Sequence, residues 1–172
     1  DEIGEDGLLP MSVIVQERAL RRIGIGGTYS TVDGLGLETY WLHRNLFGRA
    51  ERMRLEAKVG GINGVDPNEF TYRVGGTFTR PGIFTPDTNF VTSVFGDREV
   101  LEPYTRTGVT VQAGFTHLFT EELSARLFAT GRYAKFDDDV YGEREFTSVG
   151  VLGGLVYDSR DNEADATEGY YA

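Results

Sequence analysis

The chain has 172 residues, a formal net charge of −10, 23 Gly, 9 Tyr, 11 Phe and no Cys. That length can build one domain with a real core. The acidity excludes a non-specific nucleic-acid binder, which needs a basic stripe, and the missing Cys excludes disulfides and thiolate metal sites.

Glycine and aromatic residues at this level favour β-structure over a helical bundle. No apolar run approaches the roughly 18 residues of a membrane helix, which leaves open a barrel whose strands carry only alternate apolar residues.

The first residues, Asp1 to Arg18, are acidic and loose, with one short strand read over Met11–Glu17. Neither a signal peptide nor an initiating Met precedes them, so the N-terminus reads as a processed or cut end. Eight strand candidates separated by turn chemistry then follow: Ile23–Val32, Leu35–Arg44, Glu51–Ile62, Glu69–Thr79, Asn89–Glu99, Tyr104–Phe119, Leu123–Lys135 and Phe146–Asp158. A ninth begins at Gly169, so the chain ends inside an alternating segment and reads as part of a larger barrel.

The first candidate carries Gly24, Gly26 and Gly27, which weaken a strand from inside. The pattern Gly-x-Gly-x-x-Gly fails at Tyr29 and no helix follows, so a dinucleotide site is not expected. In the third, Arg52, Arg54, Glu56 and Lys58 alternate strictly with Met53, Leu55, Ala57 and Val59. A strand turns successive side chains to opposite faces, so this ribbon has one charged and one oily side.

The same alternation sets Phe70, Tyr72, Val74 and Phe78 against Thr71, Arg73, Thr77 and Thr79, and Val109, Val111, Ala113 and Phe115 against Thr110, Gln112, Gly114 and Thr116. The seventh sets Leu123, Ala125, Leu127 and Ala129 against Ser124, Arg126, Thr130 and Arg132, with Phe128 the exception.

A soluble β-sandwich shows the same alternation with its polar face outward. Three features favour a transmembrane barrel. Most candidates are nearer the roughly 9–11 residues of a tilted membrane strand than the usual 5–6 of soluble sheets. Tyr40, Trp41, Phe70, Phe78, Phe115, Phe119, Tyr133 and Tyr157 fall near strand ends, as interfacial girdles do. The polar face is rich in Gly, Thr and Arg rather than in Lys and Glu. An Arg on the lipid face near the midplane costs about 2–4 kcal/mol, so Arg52, Arg54, Arg73, Arg126 and Arg132 are expected to face the lumen, partnered by Glu38 and Glu56.

Candidate chemistry is sparse. Asp137-Asp138-Asp139 fails the EF-hand pattern at Tyr141 and Ser148 and reads as a solvated loop tip. Asp158, Arg160 and Asp161 read as a turn held by charge-assisted hydrogen bonds. His43 and His117 have no partner in triad or zinc spacing. No catalytic residue, cofactor or metal ion is expected.

From Ile23 onward the turns carry a family likeness. Gly26-Gly27-Thr28-Tyr29-Ser30-Thr31-Val32-Asp33-Gly34-Leu35-Gly36, then Trp41 with Arg44-Asn45-Leu46-Phe47-Gly48-Arg49-Ala50-Glu51, then Arg80-Pro81-Gly82-Ile83-Phe84, resemble the BamA/TamA superfamily of outer-membrane assembly factors. Tyr157-Asp158-Ser159-Arg160-Asp161-Asn162 followed by Thr167-Glu168-Gly169 is similar to its mid-barrel turn, with Ala166 where Pro is frequent. The likeness is greatest to TamA-type autotransporter assembly factors.

The resemblance implies the first half of a sixteen-strand outer-membrane barrel over residues 21–172, with residues 1–20 ending a POTRA module and its linker. It implies turns at Asn45–Ala50, Arg80–Thr88, Thr120–Glu122 and Asp158–Glu168 facing the periplasm of a Gram-negative cell. Those at Asp33–Gly34, Asn63–Asn68, Gly96–Pro103 and Phe136–Glu145 would be extracellular. The first strand, Ile23, Gly24, Ile25, Gly26, Gly27, Thr28, Tyr29 and Ser30, would be the lateral gate where unfolded outer-membrane or autotransporter clients add by β-augmentation. Outer-membrane lipids, lipopolysaccharide and a periplasm-spanning partner reached through POTRA modules are the other implied partners. Eight strands could also close as a self-contained structural or adhesive barrel.

Overall fold

The structure, a computed structural model, describes residues 14, 18–31, 34–62, 70–101, 103–138, 140–162 and 166–172. The short strand expected over Met11–Glu17 lies almost wholly outside them, and the turn expected at Asn63–Asn68 lies outside them altogether. Eight strands form in chain order: β1 (Arg21–Ser30), β2 (Gly34–Arg44), β3 (Arg52–Ile62), β4 (Thr71–Arg80), β5 (Thr88–Leu101), β6 (Tyr104–Leu118), β7 (Leu123–Asp138) and β8 (Gly142–Tyr157). They make one antiparallel sheet ordered β1 to β8, each strand beside its sequence neighbours.

The sheet is open. β1 pairs with β2 and β8 with β7, and the two edge strands do not pair with each other. This removes the reading of an eight-strand barrel closed on itself. The soluble sandwich goes too, because there is no second sheet among the described residues and Phe128 is the one buried hydrophobic residue.

Cross-strand register assigns every side chain to a face. On one lie Ile23, Ile25 and Tyr29 of β1, Leu35 and Leu37 of β2, Leu55 of β3 and Val74 of β4, continuing through Val94, Val109, Val111, Phe115 and Leu127 to Val149, Val151 and Leu155 of β8. All are exposed large apolar side chains, Ile25 at 83 % and Val149 at 87 %. An apolar field spanning eight strands has no counterpart on a soluble monomer. The opposite face holds Arg52, Arg54, Arg73, Arg126 and Arg132 together, as expected of a lumen.

The structure departs from the sequence expectation at Tyr40 and at two of the loops. Tyr40 is not in the outward girdle: it shares the lumenal face with Glu56 and lies over Gly24, where a Cβ would sit 2.2 Å from its ring. Alternation near a strand end gives the face only once the register is known. Most of the residues expected as loops at Gly96–Pro103 and Phe136–Glu145 are strand instead, because β5 runs to Leu101, β7 to Asp138 and β8 from Gly142, at 14, 16 and 16 residues.

The extra length of β7 and β8 has a physical reading. The outward apolar run of β7 from Leu123 to Tyr133 covers about 34 Å at ~3.4 Å per residue, or about 24 Å after a ~45° tilt, close to the ~25 Å apolar band of membrane barrels. Beyond Tyr133 the outward residues become Lys135, Asp137, Glu143 and Glu145, and Lys135 pairs with Glu143 at 2.6 Å. The β7–β8 hairpin therefore rises out of the apolar band as a charged ribbon.

Candidate functional site

β1 is the strand that sequence reasoning singled out, and the fold places it at an open edge. The Arg44 N–H donates to the Leu20 carbonyl at 2.7 Å, which fixes the phase of the β1–β2 ladder. Main-chain groups of an antiparallel strand turn alternately to its two neighbours. Arg22, Gly24, Gly26 and Thr28 therefore bond toward β2, while Ile23, Ile25, Gly27 and Tyr29 turn their N–H and C=O groups to the open edge. Among the described residues no strand occupies that edge. The exposed ladder belongs to residues whose side chains point outward, so an added strand would bury main chain without displacing an apolar side chain.

The glycines of β1 are seats for neighbours on the lumenal face. Gly24 lies under the Tyr40 ring, and Gly26 lies under Glu38, whose Cγ would be 3.1 Å from an added Cβ. The Arg54 guanidinium stacks 4.2 Å from the Tyr40 ring centroid and binds Glu56 at 2.9 Å. Lys58 binds Glu38 at 2.9 Å. Glu38 thus partners a lysine rather than one of the arginines expected. The same arrangement of glycine, ring and guanidinium recurs where Phe95 covers Gly75 and Arg73 lies 4.3 Å over that ring. Phe128, the break in the β7 pattern, covers Gly114. These couplings run between strands, so only the register shows them.

The short turns explain the sequence words that fill them. In the β2–β3 turn the Glu51 carboxylate accepts the N–H groups of Arg49 at 2.9 Å and Phe47 at 3.3 Å, while Asn45 Oδ1 accepts the Ala50 N–H at 2.9 Å. Glu51 is only 3 % exposed. Burial pushes its carboxyl up, but the main-chain donors of Arg49, Glu51 and Phe47 and the charge of Arg80 outweigh this and hold it below the usual range. Gly48 (φ 87°), Asn45 (φ 59°) and Ala50 (φ 61°) take the left-handed region that lets so tight a turn form.

After β8, Asp158 accepts both Nε and Nη2 of Arg160 at 2.8 Å. Asp161 accepts the Thr167 hydroxyl at 2.5 Å and the Thr167 and Glu168 amides at 2.9 and 3.1 Å. Those bonds, the Thr167 hydroxyl first, lower the Asp161 carboxyl to about 2. The expected turn-holding role of Asp158, Arg160 and Asp161 is what the geometry shows. Gly169 (φ 90°) admits no other residue, since a Cβ would lie 2.0 Å from the Ser159 carbonyl oxygen. The ninth segment begins here: Tyr157 and Ala172 exchange main-chain bonds at 3.0 and 2.9 Å.

His117 is a packing residue, its Nδ1 2.7 Å from the Thr88 hydroxyl. Asp138 caps the β7–β8 hairpin through the Val140 and Tyr141 amides and Arg144. Among the described residues no cluster of His or acidic side chains could hold a metal ion.

An open antiparallel sheet with one apolar and one arginine-bearing face, joined by these turns, agrees with a comparison of the sequence to known families: residues 45–172 match the Omp85 superfamily domain. The chain belongs to the Omp85 superfamily. No curated protein and no solved structure matches it. Omp85 proteins are non-enzymatic barrels of the bacterial outer membrane that assemble or translocate other proteins, so the sheet is part of a membrane barrel and its apolar face meets lipid. The matched stretch starts at the β2–β3 turn, so β1 lies outside it.

Proposed function

We propose that this chain is the first half of a sixteen-strand Omp85 barrel of the TamA type, with residues 1–20 closing an upstream POTRA module. In this reading β1 is a lateral seam. A client strand, from an outer-membrane or autotransporter protein, pairs with the open main-chain groups of Ile23, Ile25, Gly27 and Tyr29 and is templated into the bilayer. POTRA modules, together with a periplasm-spanning partner, deliver it.

The observation that carries the proposal is the unoccupied outer ladder of a short glycine-bearing edge strand on a lipid-facing sheet. Lipid cannot satisfy main-chain donors and acceptors, so such an edge in a membrane is stable only when another strand covers it. A partner that pairs weakly can be exchanged for a client, and interior glycine is one way to keep the pairing weak.

The test is a reversible lock. A disulfide joining β1, through a cysteine at Ile25, to the final strand of the intact barrel should abolish client assembly, and reduction should restore it. Undiminished assembly by the locked protein would remove the seam reading and leave the family assignment standing.

A further inference from the structure

We infer that the outward rim of the β2–β3 turn is a binding site for the phosphate headgroup of an anionic phospholipid. Phe47, Arg49, Glu51 and Arg80 line a pocket of about 360 Å³ there. Arg80 closes β4 on the same face as Phe78 and Val74, so its guanidinium stands at the water-side edge of the lipid-facing apolar field. Phe47 is 72 % exposed and its ring lies 6.3 Å from that of Phe78, continuing the outward aromatic row. Aromatic rings beside guanidinium groups at this depth meet the headgroup layer, where phosphodiesters are the available anions.

The site is built in advance. The Glu51 carboxylate is taken up by the Phe47 and Arg49 amides, and Asn45 holds Ala50, so the turn presents the Phe47 and Arg49 side chains from a fixed main chain. Two guanidinium groups against one carboxylate leave one net positive charge. Arginine suits a phosphate better than lysine because its fork donates two parallel bonds.

The corresponding rim farther along the sheet has the opposite sign. The β6–β7 turn carries Glu121 and Glu122 and no basic residue, so an anionic headgroup is drawn to the Arg49–Arg80 rim and repelled from that later turn. The inference needs only the membrane setting and is independent of the seam.

Trp41, the single tryptophan of the chain, points outward on β2 within the same half of the sheet. It therefore reports the local lipid. The intact protein would be placed in nanodiscs of phosphatidylcholine containing a minor fraction of phosphatidylglycerol, with bromine on the acyl chains of one lipid or the other. Brominated phosphatidylglycerol should quench Trp41 as though enriched roughly fivefold near it, the factor one uncompensated cation gives at an anionic surface. Arg49→Gln with Arg80→Gln should abolish that preference, the lysine pair should retain part of it, and Arg98→Gln at the opposite rim should leave it intact. Equal quenching by both lipids in the unaltered protein, or an undiminished preference in the double variant, would overturn the site.

Discussion

The two edges of this sheet obey the same alternation yet offer different things to a partner. β1 has 10 residues and β8 has 16. Both turn the main chain of their outward-facing residues to the open side. At the last residue of β8 that side is already taken up by the chain itself, through Tyr157 with Ala172, and just beyond the strand Ser159 pairs with Tyr170 and Asp161 with Glu168. At β1 no described residue does so. The difference teaches that edge status in a membrane sheet is not a property of a strand's composition, since β8 carries glycines at 150, 153 and 154 as β1 does at 24, 26 and 27. It depends on whether the local chain supplies the next strand.

Matched proline substitutions should give the largest effect. Ile25 and Val151 both direct their N–H to the open side of their strands. If the next strand pairs along β8 as its first residues do, Val151→Pro deletes a ladder bond inside a continuous sheet and destabilises the barrel strongly. Ile25→Pro leaves the β1–β2 ladder intact, so the barrel should still fold while client assembly is lost. Urea unfolding of the intact protein in detergent, followed by an assembly assay, separates the two. Equal destabilisation by both prolines would erase the distinction between the edges.

A second comparison sets a glycine near β1 against one in the longer half. A Cβ at Gly24 meets the ring of Tyr40, a side chain that can swing aside at the expense of its stacking with Arg54. A Cβ at Gly114 meets the Leu127 carbonyl oxygen at 2.1 Å and the Phe128 Cα at 2.6 Å, which are main chain and cannot yield without breaking the β6–β7 ladder. Gly24→Ala should therefore cost about 1–2 kcal/mol and Gly114→Ala more than about 3 kcal/mol. Urea midpoints for the two variants measure the gap, and similar costs would show that the β6–β7 ladder is as compliant as a side chain.

The strands were legible because the chain repeats its two-sided pattern wherever lipid lies on one side. β2, β3 and β6 begin and end within a residue of where alternation alone put them. The pattern faded where both sides are polar: Lys135, Asp137, Glu143 and Glu145 look like loop residues until the register shows them continuing β7 and β8 above the apolar band. Turn words such as Asn45 to Glu51 were legible as signatures, but not the carboxylate that explains them, because Glu51 acts by folding back onto amides that precede it. The glycines of β1 could be read in the sequence, but not what they seat. That Tyr40 rests on one of them depends on a ten-pair register that no local window contains. The rim pocket at Arg49 and Arg80 joins residues 31 positions apart, and only the pairing of β3 with β4 brings them together.

The smallest expected effect concerns the turn that hands β8's edge to the next segment. Asp161 holds Thr167 and Glu168 in place, and its carboxyl titrates at about 2 in the folded protein against an ordinary value of 3.8. A carboxyl whose pKa is depressed by folding stabilises the fold above its unfolded pKa, and that contribution is lost as pH falls through the folded value. The turn should therefore keep its full stability from neutral pH down to about 4 and lose the Asp161 contribution between about 4 and 2. Asp161→Asn keeps an acceptor but removes the charge, so the variant should start slightly less stable and show a shallower acid slope over that interval. Other carboxyls titrate there too, so the informative quantity is the difference between the two thermal-unfolding curves measured from pH 5 to 2. Parallel curves would mean that the Asp161 charge does not stabilise the turn, and β8's hold on the following segment would then rest on Asp158, Ser159 and the main-chain pairs alone.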